Sequence, residues 1–167
     1  MPKRLSRCDY DQLPRHSLIV CATLVQNPAN LGGLCRTVEA FRLQKLVLFD
    51  LAAAQHPLFK SLSTSAHYWQ PLEACPVSRL PEWLSQQGHE VIALTSASSA
   101  VSLTEFAFPK RSLLLLGQEL TGIPASLLNC CNHRITIPQA GMVESLNVQT
   151  AAAIAIYEYV RQHPAAL

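Results

Sequence analysis

The chain has 167 residues, of which 49% are hydrophobic and 14% charged, with a formal net charge of +2. That length fits one domain, burying roughly two thirds of the surface its unfolded form exposes, and the small net charge is by itself no argument for a nucleic-acid partner. Charged residues fall well below the usual level of about 25%, so part of the surface is expected to be covered, as at a subunit interface.

Lys3, Arg4, Arg7 and Arg15 give the chain a basic start, and we divide it into a basic N-terminal tail, 1–17, and one domain, 18–167. The apolar run 18–25 behind that start imitates the hydrophobic part of a signal peptide. Asp9, Asp11 and Pro14 interrupt the basic stretch, however, and no small-x-small cleavage site follows. No apolar run approaches the roughly 20 residues of a membrane helix, so a cytoplasmic protein without a membrane segment is expected.

Continuous apolar runs at 18–25, 45–49, 90–95, 112–117 and 134–137 read as strands buried on both faces. Helical patterns alternate with them at 31–41, 77–87 and 124–130, and a last one runs from 145 or 146 to about 162. Asn30 is expected to cap the first, and Ser145 to cap the last. Pro81 and Pro124 suit first turns, while Gly88 suits a helix end. The last helix carries an apolar stripe of Val148, Ala152, Ile156 and Tyr159, widened by the alanines from 151 to 155. Such a helix can cover its own sheet and also meet a second subunit. The alternation predicts an α/β fold with a mainly parallel sheet and flanking helices.

Six cysteines, at 8, 21, 35, 75, 130 and 131, show no C-x-x-C pairing. Most read as small buried hydrophobes, and the Cys130, Cys131, His133 cluster lacks a fourth ligand, so no metal is expected.

Three segments carry candidate chemistry, all at the carboxyl ends of predicted strands, where ligands bind in open α/β sheets. In Asn30-Leu31-Gly32-Gly33-Leu34-Cys35-Arg36-Thr37 neither a P-loop nor a dinucleotide fingerprint is present. Its Arg36 can grip a phosphate bidentately or form an ion pair with Glu39, three residues on. In Gly117-Gln118-Glu119-Leu120-Thr121-Gly122 a buried strand runs straight into a carboxylate. The third, Ile137-Pro138-Gln139-Ala140-Gly141-Met142-Val143-Glu144-Ser145-Leu146-Asn147-Val148, is a polar loop pinned between a strand and a helix.

Together and in this order, the three segments resemble the signature motifs of the SpoU (TrmH-like) branch of the SPOUT RNA methyltransferases, over about 18–161. The resemblance implies a homodimer with a C-terminal trefoil knot that binds S-adenosylmethionine and methylates a ribose 2′-hydroxyl of RNA. By the same analogy, Leu94, Thr95, Gly117, Ile137, Ser145, Leu146 and Asn147 are the expected cofactor contacts. Asn30, Arg36, Glu119, Ser145 and Asn147 map onto the family's functional positions.

Arginine stays protonated in proteins, so Arg36 is expected to hold an RNA phosphate and steady the nucleophilic oxygen instead of acting as a base. Asn30 would orient Arg36 or the ribose, and Glu119 would fix its loop through backbone donors. The first motif and the ending Tyr157-Glu158-Tyr159, with Arg161-Gln162, look most like enzymes acting on guanosine 18 of tRNA. The alternatives are a 2′-O-methyltransferase of ribosomal RNA or of the tRNA anticodon loop, a non-catalytic RNA-binding module of this fold, and a cofactor-binding protein acting on a small molecule. The basic tail could track RNA phosphates.

Overall fold

The computed structural model describes residues 7–164. Lys3 and Arg4 of the expected tail lie outside them, and the side chain of Arg7 is not described. Among the described residues seven strands run in chain order: β1 (His16–Cys21), β2 (Leu43–Leu48), β3 (Leu72–Ala74), β4 (Glu90–Leu94), β5 (Val101–Ser102), β6 (Ser112–Leu115) and β7 (His133–Thr136). They form one sheet in the order β3-β2-β1-β6-β4-β7-β5, and every pairing is parallel.

The apolar runs are continuous because the sheet is covered on both faces. In β1, Leu18 and Val20 point into one core, with Leu31, Leu34 and Val38 of α2 (Pro28–Ala40), Phe59 of α3 (Pro57–Ser63) and Ala152, Ile156 and Tyr159 of α6 (Val148–Gln162). Ile19 and Cys21 point into the other, with Leu80 and Leu84 of α4 (Leu80–Gln86) and Leu127 of α5 (Ala125–Leu128). Tyr159 is buried, its hydroxyl donating to the Lys110 carbonyl at 2.7 Å.

Two expected caps move. Asn27 caps α2, its Oδ1 accepting from Ala29 N at 2.9 Å, because Pro28, lacking an N–H and preset in φ, takes the first helical position. Asn30 therefore lies inside the helix and is 8% exposed. Asn147, not Ser145, caps α6 by accepting from Gln149 N at 2.9 Å and Thr150 N at 3.3 Å. The pattern over 77–87 splits into a 3-10 turn at Val77–Arg79 followed by α4, and α5 is shorter than the expected 124–130.

The expected tail is in part structured. The helix α1 (Arg7–Gln12) precedes β1, which starts at His16. Arg15 is committed to the fold, its guanidinium donating to Trp69 O at 2.9 Å, Leu43 O at 3.1 Å, Glu39 Oε2 at 3.1 Å and Gln70 Oε1 at 3.3 Å. With its donors so used, Arg15 is not the phosphate-tracking charge that its sequence position suggests.

No helix among the described residues is long and apolar enough to cross a membrane. Cys21 and Cys75 are buried in the second core, where loss of water pushes the Cys21 thiol up to about 11. Among the described residues no group of three or more His, Cys, Asp or Glu could hold a metal ion.

Candidate functional site

The strands β6, β4 and β7 are neighbours in the sheet, and a cavity of about 620 Å³ opens beyond their carboxyl ends. That size lies within the range of small-molecule sites. It is lined by 94–97 at the end of β4, by 116–123 after β6, and by Thr136, Ile137 and Gln139 after β7. Glu144, Ser145, Leu146, Asn147, Val148 and Ala151 complete it. All seven residues expected to contact a cofactor line this one space: Leu94, Thr95, Gly117, Ile137, Ser145, Leu146 and Asn147.

The loop after β6 is held tightly. Gln118 and Gly122 exchange backbone hydrogen bonds, each at 3.0 Å, and Thr121 Oγ1 donates to Gln118 Oε1. A Cβ at Gly117 would come within 2.7 Å of the Gly122 carbonyl carbon, so only glycine lets the strand end fold back on itself. Gly122 adopts a φ of 68°, which a residue with a side chain rarely takes.

Asn30 joins the three motifs. Its Nδ2 donates to Glu119 Oε1 at 2.8 Å, while its Oδ1 accepts from Asn147 Nδ2 at 3.1 Å. Asn147 Oδ1 in turn caps α6, so one chain of bonds runs from the second loop through α2 to the last helix. The partners are 89 and 117 residues apart in sequence. Glu119 thus pairs with a side-chain amide, where backbone donors were expected. Asn30 is engaged at both ends, which leaves it a tie between loops and gives no sign of contact with Arg36.

Arg36 lies six residues further along α2, about 9 Å by helical rise. It is exposed and does not line the cavity. Its guanidinium has no hydrogen bond or ion pair among the described residues, and the ion pair with Glu39 that the spacing allowed is absent.

Electrostatically the cavity is one-sided. Among the described residues, Glu119 and Glu144 are its only ionisable lining residues, both acidic, and no lysine, arginine or histidine joins them. It suits a ligand bearing positive charge, with strand-end backbone groups and the hydroxyls of Thr95 and Ser145 for its polar parts. Around the mouth, the loops that carry these groups leave Leu120, Met142 and Val143 exposed.

Residues 17–157 match the family model described as SpoU rRNA Methylase family. Over 148 residues, 87% of this chain, the sequence is 43% identical to a tRNA (guanosine(18)-2′-O)-methyltransferase of Mus musculus, of whose length it spans only 9%. The A. aeolicus TrmH/SpoU tRNA modifying enzyme superposes with a TM-score of 0.78 at 27% identity, over 92% of this chain and 78% of that one. The AdoMet-bound rRNA methyltransferase of Sinorhizobium meliloti gives a TM-score of 0.81 at 23% identity, covering 93% of this chain and 61% of that one, a likeness of fold.

Proposed function

The chain belongs to the SpoU rRNA Methylase family, and from that premise we propose that it is an S-adenosylmethionine-dependent RNA ribose 2′-O-methyltransferase acting on guanosine 18 of tRNA. The observation that carries the reading is the chain of bonds Asn147–Asn30–Glu119, which ties all three motifs together beside a cavity lined, among the described residues, by carboxylates and no cation. The 43% identity to a mouse protein named for this reaction supports the choice of substrate.

The lining suits the cofactor, whose sulfonium and amino groups are cationic. Leu94, Thr95, Gly117, Ile137, Ser145, Leu146 and Asn147 would hold it. When bound, S-adenosylmethionine supplies an electrophilic methyl group. The protein's own task is to bring a ribose 2′-oxygen up to that site and to bear the charge that develops on it.

Arg36 is the group for that task. Being exposed and without a partner among the described residues, it is free to take an RNA phosphate bidentately and to steady the nucleophilic oxygen. It keeps its own proton, and the hydroxyl proton passes to the phosphate or to solvent. Asn30 and Glu119 keep the loops in register, and Asn147 does so while capping α6.

The same reading includes a homodimer, supported by Ile154 and Tyr157, which stand 40% and 60% exposed on α6. It also includes a trefoil knot involving the segment 137–147, and a cytoplasmic location alongside tRNA. The domain is taken to begin near residue 18, with RNA phosphates touched by Lys3 and Arg4 of the basic tail before it.

The test is incubation of the purified protein with methyl-labelled S-adenosylmethionine and separate tRNA and ribosomal RNA pools. Label in tRNA is expected. Label in ribosomal RNA alone would move the assignment to the ribosomal alternative, and label in neither would favour the non-catalytic module.

A further inference from the structure

The carboxyl end of α2 carries an arrangement that the motifs do not account for. Glu39 lies three residues beyond Arg36, a spacing at which two side chains on a helix are neighbours. A carboxylate there would compete with an RNA phosphate, since arginine grips both with the same two-pronged geometry. Glu39 is nevertheless turned elsewhere. The Tyr10 hydroxyl of α1 donates to Glu39 Oε1, and Arg15 Nη1 donates to Glu39 Oε2 at 3.1 Å.

The segment that delivers these partners is strapped down at several points. Arg42 just after α2, at a φ of 51°, donates to the carbonyls of Tyr10, Leu13 at 2.6 Å and Pro14 at 3.1 Å. Its guanidinium also lies over the Tyr10 ring, 4.1 Å from the centroid. Tyr10 meets Trp69 edge-on at 5.3 Å between centroids. Burial at this spot pushes the Glu39 carboxyl up to about 7, against the pull of Arg42, as befits a group drawn away from solvent and from the open face where Arg36 lies.

We propose that Tyr10 and Arg15 are positioning residues for RNA methylation: by occupying Glu39 they withhold it from Arg36, so that the Arg36 guanidinium stays open to an RNA phosphate. Tyr10 and Arg15 thereby act on the reaction through an internal competitor, without themselves touching the substrate. The inference rests on the role given to Arg36 under the proposed function.

The experiment is kinetic and turns on rescue. Replacing Tyr10→Ala together with Arg15→Gln releases Glu39, and kcat/KM for tRNA is expected to fall roughly two- to fivefold, the worth of one exposed ion pair, with S-adenosylmethionine affinity unchanged. Adding Glu39→Gln to that pair removes the competitor and should return kcat/KM to the unsubstituted value, while Glu39→Gln alone should leave it there. A triple variant as impaired as the double one would overturn the inference, because the segment would then act through the fold. So would a double variant as active as the parent.

Should that double substitution unfold the protein, Tyr10→Phe with Arg15→Gln, which keeps the ring and removes only the donors, carries the same rescue test. A crystal structure of Tyr10→Phe combined with Arg15→Gln provides a readout independent of turnover. Arg36 paired with Glu39 supports the inference, and Arg36 still unpaired defeats it. Absence of methyl transfer by the unsubstituted protein would instead sink the methyltransferase reading, so the two failures are told apart.

Discussion

The two ends of α2 solve opposite problems with polar side chains. At its amino end Asn30 is buried and tied on both sides, to Glu119 and Asn147, in contacts that hold three loops in one geometry. Towards its carboxyl end Arg36 is exposed with no partner among the described residues, while its natural helical partner Glu39 is taken by Tyr10 and Arg15. With the role proposed for Arg36, the contrast separates groups that build a site from groups that act in it. A building group is satisfied within the chain, and an acting group is left unsatisfied until substrate arrives.

The largest expected effect lies on the acting side. Arg36→Lys keeps the charge but loses the two-pronged grip, and kcat should fall by about 100-fold, the scale on which a single charge-stabilising donor counts. Single-turnover methylation of tRNA checks this, and near-parental turnover would defeat the role given to Arg36. Thermal stability should stay unchanged, because Arg36 makes no polar contact that the fold needs.

On the building side the signs reverse. Asn30→Ala removes both bonds at once and leaves Glu119 and the Asn147 amide without their partner, which should cost about 1–3 kcal/mol in urea unfolding. Asn147→Ala loses the cap of α6 as well as the bond to Asn30, with about 1 kcal/mol expected from the cap itself. A double-mutant cycle between the two should be non-additive, since they share one bond. Additive losses would mean that the bond contributes nothing.

The last expected effect is a pH dependence at Glu39. Its folded pKa, about 7, lies above the ordinary 4.5, so between those values the native state holds more of this proton than the unfolded chain. The group's contribution to stability is then greatest below about 4.5, declines as pH rises to about 7, and levels off above that. Subtracting the melting profile of Glu39→Gln from that of the parent should expose this slope, and a difference that is flat or rises with pH would contradict it.

The sheet was legible because burial on both faces writes a strand as an unbroken apolar run, as in Leu18 to Cys21 and Leu113 to Leu115. The edge strands β3 and β5, three and two residues long, are too short to leave such a run. The helices α1 and α3, six and seven residues long, owe their order to docking and not to a repeating stripe. The expected cofactor contacts came from the family motifs, and the structure brings those residues to one cavity.

The wiring of the site was not legible. Nothing local in Asn30 points to partners 89 and 117 residues away, and the same residue type that caps a helix serves equally well inside one. Pro28 moved the α2 cap by three residues, to Asn27. The fate of Glu39 was hidden for the same reason. Helical spacing offers it to Arg36, and only the packed position of Tyr10 and Arg15 takes it away.

The chemistry itself is read most directly from the bond the methyl group enters. Labelled tRNA, methylated by the protein and digested with alkali, should yield an alkali-resistant dinucleotide that begins with 2′-O-methylguanosine, because a blocked 2′-oxygen cannot cleave its phosphodiester. Mapping should put it at position 18. Label released wholly as base-methylated mononucleotides would contradict ribose methylation, and an alkali-resistant product mapped to the anticodon loop would keep the chemistry while overturning the substrate site.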